Sequence, residues 1–413
     1  MTLNRRTTIS FPLAIVVLIV ALLRLFPADP TAASRTLAAN QEVFLPVVHH
    51  STYTAPFAKR VYGVLASQPQ HVASDWRAGI RARTLELGWD GYEPQEGSWN
   101  TRYIQDRQGE YRQMRDAGFM VVLDLGLQYP PAWARAIRPW QDQYGNSYDG
   151  QVNAVWSPLV RQKIERYVQR VFQDFGTDFL AVRLGSGGWV ETMYPDNAPG
   201  YRFSYWAFDA DAMASNPVPR WRPGQPSPNG EARTFYTWYV DRLIDTVNWQ
   251  QSVVRRYYGG KLLQLFAGIG VRPAGWKTLI AYDLLPYDQI GVDAAERGVA
   301  IDRIVAGIRD RTNVVIVSSS LGDGFATAPW LDEASSDPMK WSSAHWVAYN
   351  ADRYGMPKWA ENTGRNSYDN MRIVFRQLDS FGYQALFWAF DEDLHSGKYA
   401  SLDQYASMIV RNS

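Results

Sequence analysis

Eight short apolar runs, separated by long stretches of helical periodicity, constrain what this chain can fold into more than any other feature. They fall at residues 60–67, 81–88, 119–126, 179–185, 262–269, 314–320, 358–361 and 384–390, most of them bounded by Gly, Pro or Asp. Strands buried on both faces read this way, as compact apolar runs. The helices between them carry readable caps. Ser157-Pro158 places an N-cap before a proline at the first helical position. Val160, Ile164, Tyr167, Val168, Val171, Phe172 and Phe175 then mark one face, and Gly176 ends it. Ser367 opens another helix, with Met371, Val374, Phe375, Leu378 and Phe381 inward and Gly382 closing it. A segment from Arg102 carries Ile104, Tyr111 and Met114, and a long helix is expected over residues 232–258. Eight strands alternating with helices across residues 57–413 imply a (β/α)8 TIM barrel with enlarged βα loops. The competing arrangement is a doubly wound open sheet. The count of eight, with no GxGxxG after the first strand, favours the barrel.

The part before residue 57 reads differently. Arg5 and Arg6 precede an apolar stretch over residues 11–23, which fits a secretory signal and is short for a spanning helix of about 20 residues. Residues 1–33 are therefore expected to be a signal peptide or a membrane anchor, and residues 34–56 a linker. On either reading the barrel lies outside the cytoplasm, secreted or tethered by its N-terminal segment.

Charge and composition narrow the chemistry. The 42 Lys and Arg nearly balance the 41 Asp and Glu, for a formal net charge of +1. No basic excess is available to hold a phosphate backbone, so nucleic acid is not an expected partner. The absence of cysteine removes disulfides, thiolate catalysis and thiolate-ligated metals. The five histidines form no HExxH pair, and no cofactor or metal is expected. The 17 Trp and 24 Tyr fit either the packing of a large domain or flat platforms for sugar rings.

Two glutamates stand just past apolar runs: Glu191, after residues 180–185, and Glu361, after Pro357-Lys358-Trp359-Ala360. A charge at the end of a buried strand is costly unless it has work to do, and strand C-termini are where barrels perform chemistry. Two carboxyls facing across such a mouth suit glycoside hydrolysis. Long connections at residues 129–156, 192–230 and 271–289 leave the same face and are rich in Trp, Tyr, Pro and Asp. Asp124 and Asp323 are further strand-end acids, able to bond substrate hydroxyls or to satisfy a loop backbone. Gly185-Ser186-Gly187 lacks the GxSxG elbow and a partner histidine, which argues against a serine hydrolase.

Several segments resemble the clan A glycoside hydrolases, in particular the β-galactosidase-type family 42. They are Trp89 with Glu93-Pro94 and Glu96-Gly97, then Tyr129-Pro130-Pro131-Ala132-Trp133. Gly185 to Gly188 leading to Trp189-Val190-Glu191 and Tyr194-Pro195 is another, and is also similar to the β-amylases. Trp359-Ala360-Glu361 and Trp388 complete the set. The resemblance spans most of the barrel through these short motifs. It implies that Glu191 is the general acid/base and Glu361 the nucleophile of a retaining double displacement on a carbohydrate. It further implies that Trp89, Trp133, Trp189 and Trp388 are stacking platforms. Tyr194 and Asp391 would be substrate contacts, although the acidic run Asp391-Glu392-Asp393 also fits a solvated loop. The family usually has Asn directly before the acid, whereas this chain has Val190. That departure keeps open a barrel that binds carbohydrate without cleaving it, and the β-amylase likeness keeps open an inverting hydrolase.

Overall fold

The computed structural model describes residues 60–412, except 186, 188–190, 196–202, 269, 286–294 and 324–325. The expected signal or anchor segment (1–33) and linker (34–56) lie outside the described residues, as does Trp189.

Eight parallel strands close on themselves. They are β1 (Val61–Val64), β2 (Ala82–Glu86), β3 (Met120–Asp124), β4 (Ala181–Leu184), β5 (Lys261–Phe266), β6 (Val314–Leu321), β7 (Lys358–Asn362) and β8 (Ala385–Trp388). Each pairs with its sequence neighbours, and β1 pairs with β8 to shut the ring. A helix follows each strand: α1 (Val72–Arg77), α2 (Thr101–Asp116), α3 (Pro158–Phe175), α4 (Glu231–Arg255), α5 (Ile301–Gly307), α6 (Ser343–Asp352), α7 (Tyr368–Ser380) and α8 (Leu402–Arg411). The expected (β/α)8 barrel is therefore the fold, and all eight expected strands are present.

The helices form where the sequence caps them. Ser157 accepts the Val160 N–H at 3.4 Å, and all seven apolar residues of the expected α3 face are buried. Ser367 accepts the Asn370 N–H at the start of α7, and Ser401 with Gln404 makes a full capping box at α8.

Alternation along the strands sorts side chains into two sets. Ala82, Met120, Val122, Leu263, Val315 and Phe387 fill the lumen. Their neighbours one residue away, such as Leu85, Val121, Val182 and Leu386, pack outward under the helices. The same alternation carries Glu86, Asp124, Arg183, Ser319 and Glu361 into the C-terminal mouth, one layer above the lumen residues. The long connections there hold extra pieces: an antiparallel hairpin of Trp140–Gln141 with Ser147–Tyr148, and short helices at Ala210–Met213 and Pro273–Ala281.

Candidate active site

Glu86, Asp124 and Arg183 stand side by side on β2, β3 and β4, because Glu86 is in register with Asp124 and Asp124 with Arg183. Arg183 is buried and reaches in two directions. Its Nη1 donates to Asp124 Oδ2 at 2.8 Å, and its Nη2 lies 3.0 and 3.1 Å from the two carboxylate oxygens of Glu361 on β7. Asp124 is itself fixed by the Gly126 N–H at 2.9 Å. The arginine's direct partners are therefore Asp124 and Glu361, not Glu191.

Glu191 reaches the mouth from the connection after β4 and is 7% exposed. Its Oε1 accepts the hydroxyl of Ser319 on β6. The next residue is tied to the wall by Thr192 N–H to Leu265 O at 3.0 Å. Burial pushes the Glu191 carboxyl up to about 7. The Ser319 hydroxyl opposes that shift, and the nearby Glu361 charge adds to it. Burial also raises Glu361, and there the Arg183 guanidinium pulls the other way. Glu86 is raised too, by burial and by Asp124, while the Tyr129 hydroxyl, Arg183 and the Gln128 amide favour its ionised form. Burial works against the charge of Arg183, but Glu361, Asp124 and Glu86 hold it protonated. Four carboxyls thus crowd around one directly paired arginine. Burial raises Glu191, Glu361 and Glu86 together, and Glu191, whose Oε1 accepts from a hydroxyl while the Arg297 and Arg183 charges only partly offset its burial, is placed to keep a proton.

The other expected site residues need correction. Trp89 is fully buried, stacked on Tyr167 at 5.2 Å with its Nε1 donating to Glu93 at 3.0 Å, so it offers no face to a sugar. Trp133 is half-buried, edge-on to Trp89 at 5.5 Å, with its Nε1 bonded to Glu93 O. Tyr194 is buried and stacked on Tyr239 at 3.7 Å. Trp388 points outward by strand alternation and packs on Tyr405 under α8, away from the lumen. Among the described residues, exposed aromatic groups on the connections at this face include Tyr129, Phe390, which is seated against Gly364 just past Glu361, and, farther along their connections, Tyr144, Tyr282 and Trp330.

Asp391 is also structural. It is fully buried and accepts the Gln68 N–H at 2.7 Å and the Arg83 guanidinium at 3.2 Å. Arg83, between the lumen-side positions Ala82 and Thr84, faces outward into a network with Asp75, Asp391, His71 and His395. Among the described residues, His71, Asp391 and His395 form the one group whose ligand atoms converge, within 4.8 Å of one another. The two imidazoles are stacked 3.5 Å apart at 12°, however, so a single ion cannot lie in both ring planes. With Arg83 already on Asp391, this set serves as an ion-pair latch rather than a cation cage.

Glu86 is a member of the charged set at the mouth that sequence reasoning missed. The signal was available: in Ala82-Arg83-Thr84-Leu85-Glu86, the period of two puts Glu86 on the lumen side at the strand end.

No protein-family model matches the chain, and no curated protein matches it either. Solved structures do. The catalytic domain of the β-amylase from Paenibacillus polymyxa superposes with a TM-score of 0.65 at 13% identity, over 86% of this chain and 98% of that one. The β-galactosidases of Halorubrum lacusprofundi and Bacillus circulans sp. alkalophilus give TM-scores of 0.53 and 0.55 at 14% and 12% identity. They are covered over 57% and 56% of their own lengths, so the chain spans little more than half of these β-galactosidases. What the three share with this chain is the barrel. At such identities the likeness is one of fold, and the chemistry has to be argued from the site.

Proposed function

We propose that this chain is an exported glycoside hydrolase that cleaves O-glycosidic bonds of an oligo- or polysaccharide by a retaining mechanism. The observation that carries the reading is the pair of buried glutamates at the C-terminal mouth. Glu191 has its pKa pushed up to about 7, and both carboxylate oxygens of Glu361 lie on the Arg183 guanidinium. Glu191 donates its proton to the glycosidic oxygen as the bond breaks. Glu361, whose ionised form Arg183 favours, attacks the anomeric carbon as the carboxylate and forms a glycosyl ester. Water then enters, Glu191 removes its proton, and the ester is released with the original anomeric configuration restored. The glycosidases that share the fold support this reading, and the apolar stretch at residues 11–23 supports export.

The test is a hydrolysis screen of the protein on aryl glycosides and polysaccharides, with Glu361→Gln as the paired control. Turnover abolished in the variant supports the hydrolase, and carbohydrate binding with no glutamate-dependent turnover overturns it. A β-amylase-like inverting hydrolase is the second reading, favoured by the near-complete coverage of the β-amylase domain. Proton NMR of the first-formed product separates the two. A product with the substrate's anomeric configuration supports double displacement, and the opposite anomer sinks it.

A further inference from the structure

An open cleft of about 220 Å³ leads away from the mouth on the side opposite Glu191. Ser67 and Gln68 line it from the connection after β1, Glu86 from the end of β2, Arg107 and Glu110 from α2, and Tyr129 from the segment after β3. Glu86 belongs both to this cleft and to the charged set around Arg183, so the cleft and the reacting centre share a wall.

Its chemistry is that of a sugar subsite. Tyr129 presents an exposed ring, and its hydroxyl bonds Glu86. Arg107 and Glu110 pair at 2.5 Å on the cleft floor, and the buried Arg107 Nε–H has no protein partner. Acceptors (Glu86, Glu110), donors (Arg107, the Gln68 amide) and one flat ring in a small space match a neutral, hydroxyl-rich pyranose.

The side of the ring fixes which sugar. A general acid must touch the leaving-group oxygen, so the leaving group lies toward Glu191 and its neighbours on β5 and β6. The cleft belongs to β1, β2 and α2, across the barrel, and therefore lies on the glycone side. We propose that it binds a second sugar unit beyond the one being cleaved, so that the enzyme acts on oligosaccharides of two or more glycone units. This inference rests on the hydrolase reading. It also explains why Asp391 and Arg83 are buried behind the cleft: they clamp the N–H and C=O of Gln68, which forms its wall.

The test compares p-nitrophenyl glucoside and galactoside with p-nitrophenyl cellobioside, maltoside and lactoside on the full chain. A tenfold or greater kcat/KM advantage for one disaccharide glycoside is expected, and Arg107→Ala or Tyr129→Ala should reduce that ratio toward unity. A ratio near one in the wild type, or one unchanged in both variants, overturns the proposal. Calorimetry of Glu361→Gln with cellobiose, maltose and lactose provides a second readout that needs no turnover. Binding that Arg107→Ala abolishes, in a protein that hydrolyses nothing, keeps the subsite and removes the hydrolase reading. Absence of binding to all three removes the subsite.

Discussion

In the proposed mechanism Glu191 bears a cost that its role as acid requires. An ordinary carboxyl near 4.5 is pushed up to about 7 in the folded protein, chiefly by burial. Between those pH values the folded state binds a proton that the unfolded chain releases, so stability falls as pH rises through the window. At about 1.4 kcal/mol per pH unit, the full cost above pH 7 is on the order of 3 kcal/mol. Glu191→Gln keeps the shape without the charge. It is expected to match the wild type in stability at pH 4.5 and to exceed it increasingly up to pH 7, by denaturant unfolding, while losing about 10²–10⁴-fold in kcat. A variant equally stable at both pH values would mean that Glu191 is not a buried acid. The same proton shapes the activity profile: kcat/KM should fall on the alkaline side of about pH 7, where the acid is lost. Asp124→Asn tests the other half of the site. It leaves Glu361 in place but removes the carboxylate on the Arg183 Nη1, so kcat should fall more than KM changes. A loss confined to KM would show that Asp124 binds substrate instead of anchoring Arg183. Positions of this kind were partly legible in the sequence. Strand-end carboxyls stand out because charge is costly there, and that identified Glu191 and Glu361. Arg183, the partner of Glu361, lies 178 residues from it and has no local signature. Trp89, Tyr194 and Trp388 were misjudged because an aromatic near a strand end reads the same whether its ring faces the mouth or the helices.

At the scale of elements, the eight strands were visible because burial on both faces leaves uninterrupted apolar runs, and α3 and α7 because their caps and faces repeat in register. The connections were not visible in this way, since they are shaped by single backbone positions. Gly126 is one. It turns the chain out of β3 at φ +68°, and a Cβ placed there would sit 1.7 Å from the Leu87 carbonyl oxygen. Its N–H also fixes the Asp124 carboxylate. Gly97 has a similar φ of +78° with open space around it. A left-handed conformation alone costs a non-glycine residue about 1–2 kcal/mol. Gly97→Ala should lose about that much, whereas Gly126→Ala should lose well beyond it and also lower activity by displacing Asp124. Thermal melts of the two variants make the comparison, and equal losses would show that the close approach to Leu87 does not constrain this turn.

The whole molecule depends on closing a ring whose first and last units are more than 300 residues apart. Backbone pairing of β1 with β8 does part of this, contacts such as the Tyr405 hydroxyl on Gly63 O and Arg60 on Asp379 add to it, and the latch around Arg83 contributes a buried ion-pair network. It joins Asp75 on α1, Arg83 on β2 and Asp391 in the short helix Asp391–Ser396 between β8 and α8, all three fully buried, with His395 on Asp75 at 2.8 Å. Nothing in the local sequence announces such a network, because its members pair only once the ring has shut. Burial and the neighbouring Asp391 charge raise the Asp75 carboxyl, so this site tolerates two acids only while the guanidinium is there. Arg83→Met should leave the two carboxyls without their guanidinium, with only His71, His395 and the Gln68 N–H beside them, and cost about 3–5 kcal/mol at pH 7. The loss should shrink toward pH 4–5, as the raised Asp75 carboxyl takes up a proton and no longer needs a cation. Adding Asp75→Asn and Asp391→Asn should recover much of the loss at pH 7, since the burden is the unpaired charge and not the missing side chain. Denaturant unfolding of the single and triple variants at both pH values measures this directly. If the single variant unfolds like the wild type and only oligosaccharide affinity drops, the latch shapes the Gln68 wall of the cleft without holding the ring closed.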